Sequence, residues 1–378
     1  MPSRASPAGI LPERLQALLI EAVNTYSPSF HEEPCTRVFE RALLAAGLSP
    51  ERQPVPGPSP RDNLIVKLGP QPPALMFVGH LDTIEAAPDH AEARCTIDAD
   101  VLHGLGAADM KAGCAAMVEA VIALHTAHPQ LDRGLVLALV VGEEEYGDGA
   151  QALVQAGVAP LTILGEPTSV VPCIDHSGYL EALMISEGTR AHAAVPEHGA
   201  DAIRGMLVWM LGVLELLDQR QPQGSISANP REIRGGSTMF VVPERCEALL
   251  DVHWRPSVAP QSVFDAIERA RQTALRLHPS CGLRLEARFQ SDGFQAPADD
   301  PRLQPLRRAF EDSARAWLPG VFRSHSDACI FHAAGSRAVV CGPGSLAVAH
   351  SAAERVSIDE AIGAAMLYEK IARRACLD

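Results

Sequence analysis

Short apolar runs recur along the chain, and most of them end at an acidic or histidine side chain. Four runs of five to nine residues alternate with longer segments, at positions 74–79, 134–142, 161–165 and 338–342. Continuous apolar runs of this length are typical of strands that are buried on both faces of a parallel sheet. The pattern therefore predicts an α/β fold with a mostly parallel central sheet.

Several longer segments have the periodicity of helices. They cover residues 11–24, 33–46, 109–128 and 357–374. The segment 109–128 begins with an acid and ends with a histidine, an order that the helix dipole favours. We therefore expect Asp109 at the N-terminus of a helix, facing the same strand ends as the other acids.

The middle of the chain has a different character, with predicted strands at 179–186 and 246–253. Between them, residues 201–217 form a strongly apolar helical pattern. Its apolar stripe is too wide for a helix that lies on solvent. The stripe comprises Ile203, Met206, Leu207, Met210, Leu214 and Leu217. It indicates either a core within the chain or a subunit interface, and an insertion into a single α/β domain accounts for the order of elements.

Polar side chains with metal-binding chemistry follow the predicted strands. They are His80, Asp82, Glu143, Glu144, Glu145 and Glu166, with Asp109 at the predicted helix start and His350 after a glycine-rich loop. In open parallel sheets the ligand-binding residues collect outside the carboxyl ends of the strands. Imidazoles and carboxylates without cysteine suit zinc, cobalt or manganese. So many acids in one cleft would repel each other unless cations lay among them.

Composition restricts the class of protein. The chain has 378 residues, 47% hydrophobic and 21% charged, which indicates a globular protein with two domains. A net charge of -14 argues against a nucleic-acid partner. Nine scattered cysteines without a CxxC pair favour reduced thiols. Residues 1–12 lack a signal peptide and no apolar stretch has the length of a membrane helix, so we expect a cytoplasmic protein without membrane partners.

Five ordered motifs resemble the M20 metallopeptidase family, which includes acetylornithine deacetylase, succinyl-diaminopimelate desuccinylase, aminoacylase-1 and glutamate carboxypeptidases. The motifs are GHLDT at 79–83, GLGAADMKAG at 104–113, GEEEYGDGA at 142–150, GEPT at 165–168 and AHSAAERV at 349–356. The resemblance covers nearly the whole chain. It implies a zinc-peptidase-like catalytic domain with a mostly parallel sheet and an inserted α+β lid and dimerisation domain.

The resemblance also assigns roles to the residues at the strand ends. It implies that His80 and Glu166 bind one metal, that Glu144 and His350 bind a second, and that Asp109 bridges both. Asp82 would support the imidazole of His80. The bond between Asp109 and Met110 would be a cis peptide, and Glu143 would be the general base.

One ambiguity is local to the three consecutive glutamates. The motif can be read one residue later, which would make Glu144 the base and Glu145 the metal ligand. The ungapped match to two acids followed by four residues and Gly-Ala favours the first register, with Glu143 as base.

The predicted domain boundaries follow from the same resemblance. Residues 1–177 and 293–378 would form the discontinuous catalytic domain, and residues 178–292 would form the lid and dimerisation domain. His192 lies at the position of a family histidine that reaches into the partner subunit's site. There it would donate a hydrogen bond to the carbonyl oxygen of the substrate as negative charge develops on it.

The predicted substrate contacts depart from the family pattern. Phe240 stands where relatives carry Asn, His253 where they carry Arg, and His325 where they carry a small residue beside Asp327. These departures weaken the transfer of the family's substrate-carboxylate contacts to this chain. The candidates for substrate binding are Arg255, Arg323, His253, Asp327 and the glycines Gly342 and Gly344 of a loop that resembles the family's substrate-lining loop.

The sequence is thus interpreted as that of a homodimeric amidohydrolase that uses two divalent metal ions, with zinc preferred and cobalt or manganese as alternatives. Its predicted substrate is a small N-acylated amino acid, which it would cleave into a carboxylate and a free amino acid. Two other interpretations stay open at this point. One is a dipeptidase or glutamate-releasing carboxypeptidase with the same metal core, and the other is a catalytically silent binding protein.

Overall fold

A computed structural model describes residues 9–86, 94–219, 224–236 and 238–377 of the chain. The expectation that the N-terminus lacks a signal peptide falls mostly on residues 1–8, which lie outside the described residues. The described chain divides into two compact units. The first unit comprises Met1–Ile174, Ala296–Gly320 and Ser326–Asp378, and the second unit comprises Asp175–Gln295 and Val321–His325.

The described residues form the following α-helices: α1 (Pro12–Val23), α2 (Glu33–Ala45), α3 (Ala112–Ala127), α4 (Asp148–Val154), α5 (Ala202–Gln219), α6 (Pro260–Leu277), α7 (Gln304–Asp312), α8 (Ala328–Ala333) and α9 (Ile358–Cys376). They also form these strands: β1 (Glu51–Pro54), β2 (Asp62–Leu68), β3 (Pro73–His80), β4 (Thr96–Asp98), β5 (Val101–His103), β6 (Gly134–Val140), β7 (Leu161–Pro167), β8 (Cys173–His176), β9 (Gly178–Glu187), β10 (Ala191–His192), β11 (Ile226–Gly235), β12 (Val241–Val242), β13 (Arg245–Trp254), β14 (Gly282–Ser291), β15 (Gly320–Phe322), β16 (Arg337–Gly342) and β17 (Arg355–Ser357).

The large sheet has the strand order β1-β2-β6-β3-β7-β16-β8-β15. Its four central strands, β6, β3, β7 and β16, run parallel to their neighbours within that group. On the two sides of this group, β2 pairs with β6 and β8 pairs with β16, both in the antiparallel direction. Every residue of β6 and β7 is buried, as expected for strands covered on both faces. The predicted α/β class with a mostly parallel central sheet is confirmed.

Helix α3 is the central helix of the first unit. All residues from Ala112 to Leu124 are buried, and the helix packs against α9, α1 and the strands of the sheet. The prediction that a helix begins at Asp109 was wrong, because α3 begins three residues later. Asp109 and Met110 have non-helical backbone angles inside a short π-type turn, Ala107–Lys111, that precedes α3.

The second unit contains a four-stranded antiparallel sheet in the order β11-β13-β9-β14, with α5 and α6 packed together. Most of the predicted stripe on α5 belongs to the core of this unit: Met206, Met210 and Leu217 are buried, and Ile203 and Leu214 are partly buried against them. Leu207 is 46% exposed, and its neighbour along the helix, Leu211, is 64% exposed. The wide apolar stripe therefore combines a face of α5 that packs into the core with a second face that is exposed.

Candidate active site

Two neighbouring parallel strands position the first pair of predicted ligands. His80 is the last residue of β3, and Glu166 lies near the end of β7. The register between these strands aligns Val78 with Leu164 and so brings both side chains to one edge of the sheet. The distance from His80 Nε2 to Glu166 Oε2 is 3.5 Å.

Asp109 reaches this pair from the turn that precedes α3. Its Oδ1 lies 3.2 Å from His80 Nε2, and the peptide bond between Asp109 and Met110 is cis. A close approach between two backbones holds the turn in place. A Cβ atom added to Gly113 would lie 2.1 Å from the carbonyl oxygen of Gly165, so a larger residue there would push α3 away from β7.

Glu144 and His350 form a second pair on the other side of Asp109. His350 Nε2 lies 3.0 Å from Glu144 Oε1 and 3.5 Å from Asp109 Oδ2. His350 has a φ angle of 57°, in the left-handed region that non-glycine residues rarely adopt. Such strained residues cluster at functional sites, where the surrounding structure maintains them.

The two groups fit divalent metal ions. His80, Asp109 and Glu166 form one group, and Asp109, Glu144 and His350 form the other, with the ligand atoms of each group within 4.8 Å of one another. Asp109 belongs to both, one carboxylate oxygen facing each histidine. Nitrogen and carboxylate ligands without thiolate are typical of zinc, cobalt or manganese sites.

In addition to the effect of burial, the buried carboxylates of this site raise one another's pKa values by charge repulsion. Burial raises the pKa of Glu166 to about 7. Burial, followed by the charges of Glu166 and Asp327, raises the pKa of Glu143 well above its usual value. Burial opposes protonation of His350, but its hydrogen bond with Glu144 and the nearby carboxylates outweigh that effect and raise its pKa to about 9. Bound cations would relieve this repulsion between carboxylates.

Asp82 is fully buried and organises the loop that follows β6. Its carboxylate accepts hydrogen bonds from the backbone N–H groups of Glu143 (3.2 Å) and Glu144 (3.0 Å) and from the hydroxyl of Ser29 (2.8 Å). The carboxylate is 3.6 Å from His80 Nδ1, whereas the backbone oxygen of Asp82 is 3.0 Å from that nitrogen. A proton on Nδ1 can donate to that oxygen, which leaves Nε2 of His80 available as a ligand.

The three consecutive glutamates face different surroundings. Glu143 Oε2 lies 3.9 Å from His80 Nε2, and its side chain is 11% exposed. Glu144 contacts His350, while Glu145 is exposed and belongs to neither ligand group among the described residues. This arrangement agrees with the register in which Glu144 is the ligand and Glu143 the base.

Glu354 lies within the last motif, but no role was predicted for it. Its Oε1 accepts hydrogen bonds from the backbone N–H groups of Ala108 (3.0 Å) and Asp109 (3.1 Å), and the residue is 3% exposed. Glu354 thereby ties the loop that carries His350 to the turn that carries Asp109. The one sequence feature that could have indicated this role is its position in the same motif, four residues after His350.

A buried arginine beneath the glutamate loop was also missed. The Arg61 side chain is fully buried and pairs with Glu32 (3.3 Å) and with Asp148, the first residue of α4. Its guanidinium lies 4.6 Å from the centre of the Phe30 ring. The contacts span 29 and 87 residues of sequence, so no local pattern could reveal them.

Three of the predicted substrate contacts lie in the first unit. Asp327 is 2% exposed, and burial together with the charges of Asp82 and Glu166 raises its pKa well above the usual value. A Cβ atom on Gly342 would lie 2.0 Å from the carbonyl oxygen of Gly165. Gly344, with a φ of 88°, accepts a hydrogen bond from the N–H of Ser169. Gly342 is the last residue of β16, and Gly344 lies in the loop that follows it, both beside the end of β7.

The other predicted contacts lie in the second unit. His192 is exposed on β10 and stacks with Phe240, with ring centres 6.5 Å apart. His253 lies against the ring of Tyr179, with centres 4.6 Å apart, and burial lowers its pKa to about 4. The exposed Arg255 donates to the backbone oxygen of Gly224, and the exposed Arg323 lies near the same glycine. The assignment of His253, Arg255 and Arg323 to substrate binding stays a prediction, as does the role of His192 as an oxyanion donor.

Comparison with known proteins places this geometry in a family. Residues 76–374 match the family described as peptidase family M20/M25/M40. The chain is 30% identical over 367 residues to acetylornithine deacetylase of Myxococcus xanthus, which covers 92% of this chain and 94% of the relative.

Solved structures share the fold. A tripeptidase from Staphylococcus aureus aligns with a TM-score of 0.79 at 19% identity, over 97% of this chain and 99% of that one. The YXEP protein of Bacillus subtilis, described as a dinuclear metal binding peptidase from the M20 family, aligns with a TM-score of 0.68 at 14% identity, over 96% and 97% of the chains. The predicted class of metal-dependent hydrolase is confirmed, and the chain belongs to peptidase family M20/M25/M40.

Proposed function

We propose that this protein hydrolyses the amide bond of an N-acylated amino acid and releases a carboxylate and a free amino acid. The observation that carries the proposal is the position of Asp109 between two histidines, with Oδ1 at 3.2 Å from His80 Nε2 and Oδ2 at 3.5 Å from His350 Nε2. The similarity to acetylornithine deacetylase supports an acylated amino acid as substrate.

The residues proposed to hold two divalent cations are His80, Glu166 and Asp109 on one side and Glu144, His350 and Asp109 on the other. We propose zinc, with cobalt or manganese as alternatives, because the ligand atoms are nitrogen and oxygen. When bound, the cations would make water acidic enough to react at neutral pH and would stabilise negative charge on the carbonyl oxygen. The three ligating carboxylates would offset three of the four positive charges.

Glu143 is the proposed general base. Its backbone N–H is fixed by Asp82, and its carboxylate lies at the edge of the first ligand group. Glu143 accepts a proton from the attacking water, whose oxygen adds to the amide carbon. The C–N bond then breaks, and Glu143 returns the proton to the departing amine nitrogen.

His192 is proposed to donate a hydrogen bond to the carbonyl oxygen, from one subunit of a homodimer to the site of its partner. The backbone N–H of Ala194 donates to His192 Nδ1 over 3.1 Å. In the neutral ring the proton must therefore be on Nε2, which makes Nε2 the donor. The exposed leucines Leu207 and Leu211 on α5 support a subunit interface, which sedimentation of the purified protein tests.

A cytoplasmic location is also part of this proposal, and the nine scattered cysteines without a CxxC pair support it because they favour reduced thiols. Among the described residues, no helix combines the length and apolarity needed to cross a membrane.

The proposal is tested by amine release from N-acetyl and N-succinyl amino acids, dipeptides and acyl-glutamates, with added zinc, cobalt or manganese and with a chelator. We expect chelator-sensitive cleavage of the N-acyl amino acids. Preference for dipeptides or acyl-glutamates would favour the peptidase alternatives, whose fold the tripeptidase shares. No turnover from folded, metal-loaded protein would support a silent binding homologue.

A further inference from the structure

A groove of about 410 Å³ lies at the edge of the sheet where the parallel strands begin. It includes Ala74, the second residue of β3, and Leu161, the first residue of β7. The ligand groups lie at the other edge. From Leu161 to Glu166 the strand spans about 17 Å, at roughly 3.3 Å per residue. The groove is therefore separate from the candidate active site.

Arginine dominates the polar lining of this groove. The guanidinium-bearing residues are Arg133, Arg302, Arg308 and Arg374, and no Asp or Glu is among the described residues that line it. This concentration of positive charge stands out in a chain with a net charge of -14. A groove lined by one sign of charge raises the local concentration of ions of the opposite sign.

The four arginines are not equally neutralised. Arg302 pairs with Asp300 at 2.7 Å, and Arg374 pairs with Asp312 at 2.8 Å. Within the described part of the chain, Arg133 and Arg308 form no ion pair. Among the residues that the structure describes, the groove thus has two exposed guanidiniums without a carboxylate partner, one from the segment before β6 and one from α7.

The shape and chemistry of the groove define its ligand. Each guanidinium can grip an oxyanion with two parallel hydrogen bonds, which suits phosphate and carboxylate groups. The volume lies within the range of small-molecule sites, roughly 300 to 1,000 Å³. Ala74, Pro160, Leu161 and Ala375 supply an apolar surface beside the arginines, against which a short carbon skeleton can pack.

We propose that this groove binds a small organic anion that carries at least two negative charges. Its oxyanion groups contact Arg133 and Arg308, and its carbon atoms lie against the apolar part of the lining. The ligand would link α7, the end of α9 and the starts of the strands, so its binding should stabilise the folded chain. This inference is independent of the function proposed for the other edge of the sheet.

The test uses the full-length, metal-loaded protein and two probes that differ in the source of charge: glycerol 3-phosphate and tricarballylate. Titration calorimetry and thermal unfolding at fixed ionic strength measure binding, with acetate as a monovalent control. We expect saturable binding and a rising melting temperature with one or both probes, and neither with acetate. Preference between the probes identifies phosphate or carboxylate as the natural group.

The variant that tests the groove combines Arg133→Ser with Arg308→Ser. We expect it to bind the preferred probe at least tenfold more weakly, while amine release stays within twofold of the wild type. A matched control combines Arg269→Ser with Arg276→Ser, which removes two exposed guanidiniums from α6 and should leave affinity unchanged. A third variant, Arg133→Lys with Arg308→Lys, keeps the charge and should lose several-fold in affinity.

Three results would overturn the proposal. They are the absence of saturable binding to the wild type, unchanged affinity in the Arg133→Ser, Arg308→Ser variant, and an equal loss in the α6 control. The last result would show that binding depends on total charge and not on this groove. If the serine variant fails to fold, unchanged affinity in the lysine variant contradicts the two-hydrogen-bond contact.

Discussion

Glu354 accepts a hydrogen bond from the backbone N–H of Asp109 over 3.1 Å and so connects two ligand-bearing segments that are 245 residues apart. The same oxygen accepts from Ala108, and burial raises the pKa of the Glu354 carboxyl above its usual value. Asp109 is shared by both ligand groups. A residue that fixes its backbone should therefore affect the binding of both metal ions.

We predict that Glu354→Ala weakens zinc binding by about 10- to 100-fold, the usual effect of losing a residue that supports a metal ligand. Glu354→Gln should retain most of the affinity, because its amide oxygen can accept the same two N–H groups. Competition with a chromophoric chelator measures the affinity. Glu369→Ala is the control, since Glu369 is 2% exposed on α9 and lies near Arg373.

The control should lose thermal stability without a change in zinc affinity. If Glu354→Ala binds zinc as tightly as the wild type while its melting temperature falls, Glu354 supports only the fold. Equal losses of affinity in the alanine and glutamine variants would indicate that its charge, and not its hydrogen bonds, is required.

The assignment of the base predicts a separation between turnover and metal content. Glu143→Gln should lower kcat by about 100- to 10,000-fold, the range expected when a general base is lost. The zinc content, measured by mass spectrometry of the purified protein, should stay at two ions per chain. Glu145→Gln should keep near-normal turnover, because Glu145 is exposed. Near-normal turnover in Glu143→Gln together with a large loss in Glu145→Gln would instead support the later register, with Glu144 as base and Glu145 as ligand.

The buried ion cluster around Arg61 predicts a large effect on stability. Arg61→Met should lower the free energy of unfolding by about 3 to 5 kcal/mol, because the buried Glu32 and the half-buried Asp148 lose their partner. Adding Glu32→Gln to that variant should recover part of the loss. Urea denaturation measures both effects, and a loss below about 1 kcal/mol would be inconsistent with a cluster that stabilises this loop.

Two partly buried imidazoles predict acid sensitivity in the second unit. Burial lowers the pKa of His253 to about 4, and burial with the charges of His176 and His253 lowers that of His325 to about 3. The surrounding rings include Tyr179, whose hydroxyl donates to Asp251 over 3.0 Å. The unfolded imidazoles have pKa values near 6.5, so acid protonates the unfolded state first.

The stabilisation from the neutral imidazoles is therefore fully present above about pH 6.5 and is lost as the pH falls toward 4. We predict that His253→Phe reduces the loss of unfolding free energy between pH 7 and pH 4.5 by on the order of 1 to 2 kcal/mol. His198→Ala, at an exposed position, serves as control and should leave the pH dependence unchanged. An identical pH profile for His253→Phe and the wild type would refute this account.

The parts of this structure that sequence could predict are those with a local pattern. Apolar runs that end at His80 or Glu143 identify parallel strands, because burial on both faces demands continuous apolar residues. The wide apolar stripe on α5 could also be predicted. Periodicity alone did not distinguish Met206, which is buried in the core, from Leu207, which is exposed.

The parts that could not be predicted depend on contacts between distant segments. The start of α3 is shifted from Asp109 because the turn Ala107–Lys111 is held by Glu354 and by the close approach of Gly113 to Gly165. The role of Arg61 likewise depends on partners far along the chain. Such tertiary hydrogen bonds leave no periodic signal in either segment.

Anomalous diffraction from zinc-loaded crystals at the zinc absorption edge can show directly whether a pair of metal ions shares Asp109. We expect two peaks per chain, one among His80, Asp109 and Glu166 and the other among Asp109, Glu144 and His350. A single peak, or a pair in which Asp109 contacts only one ion, would contradict it.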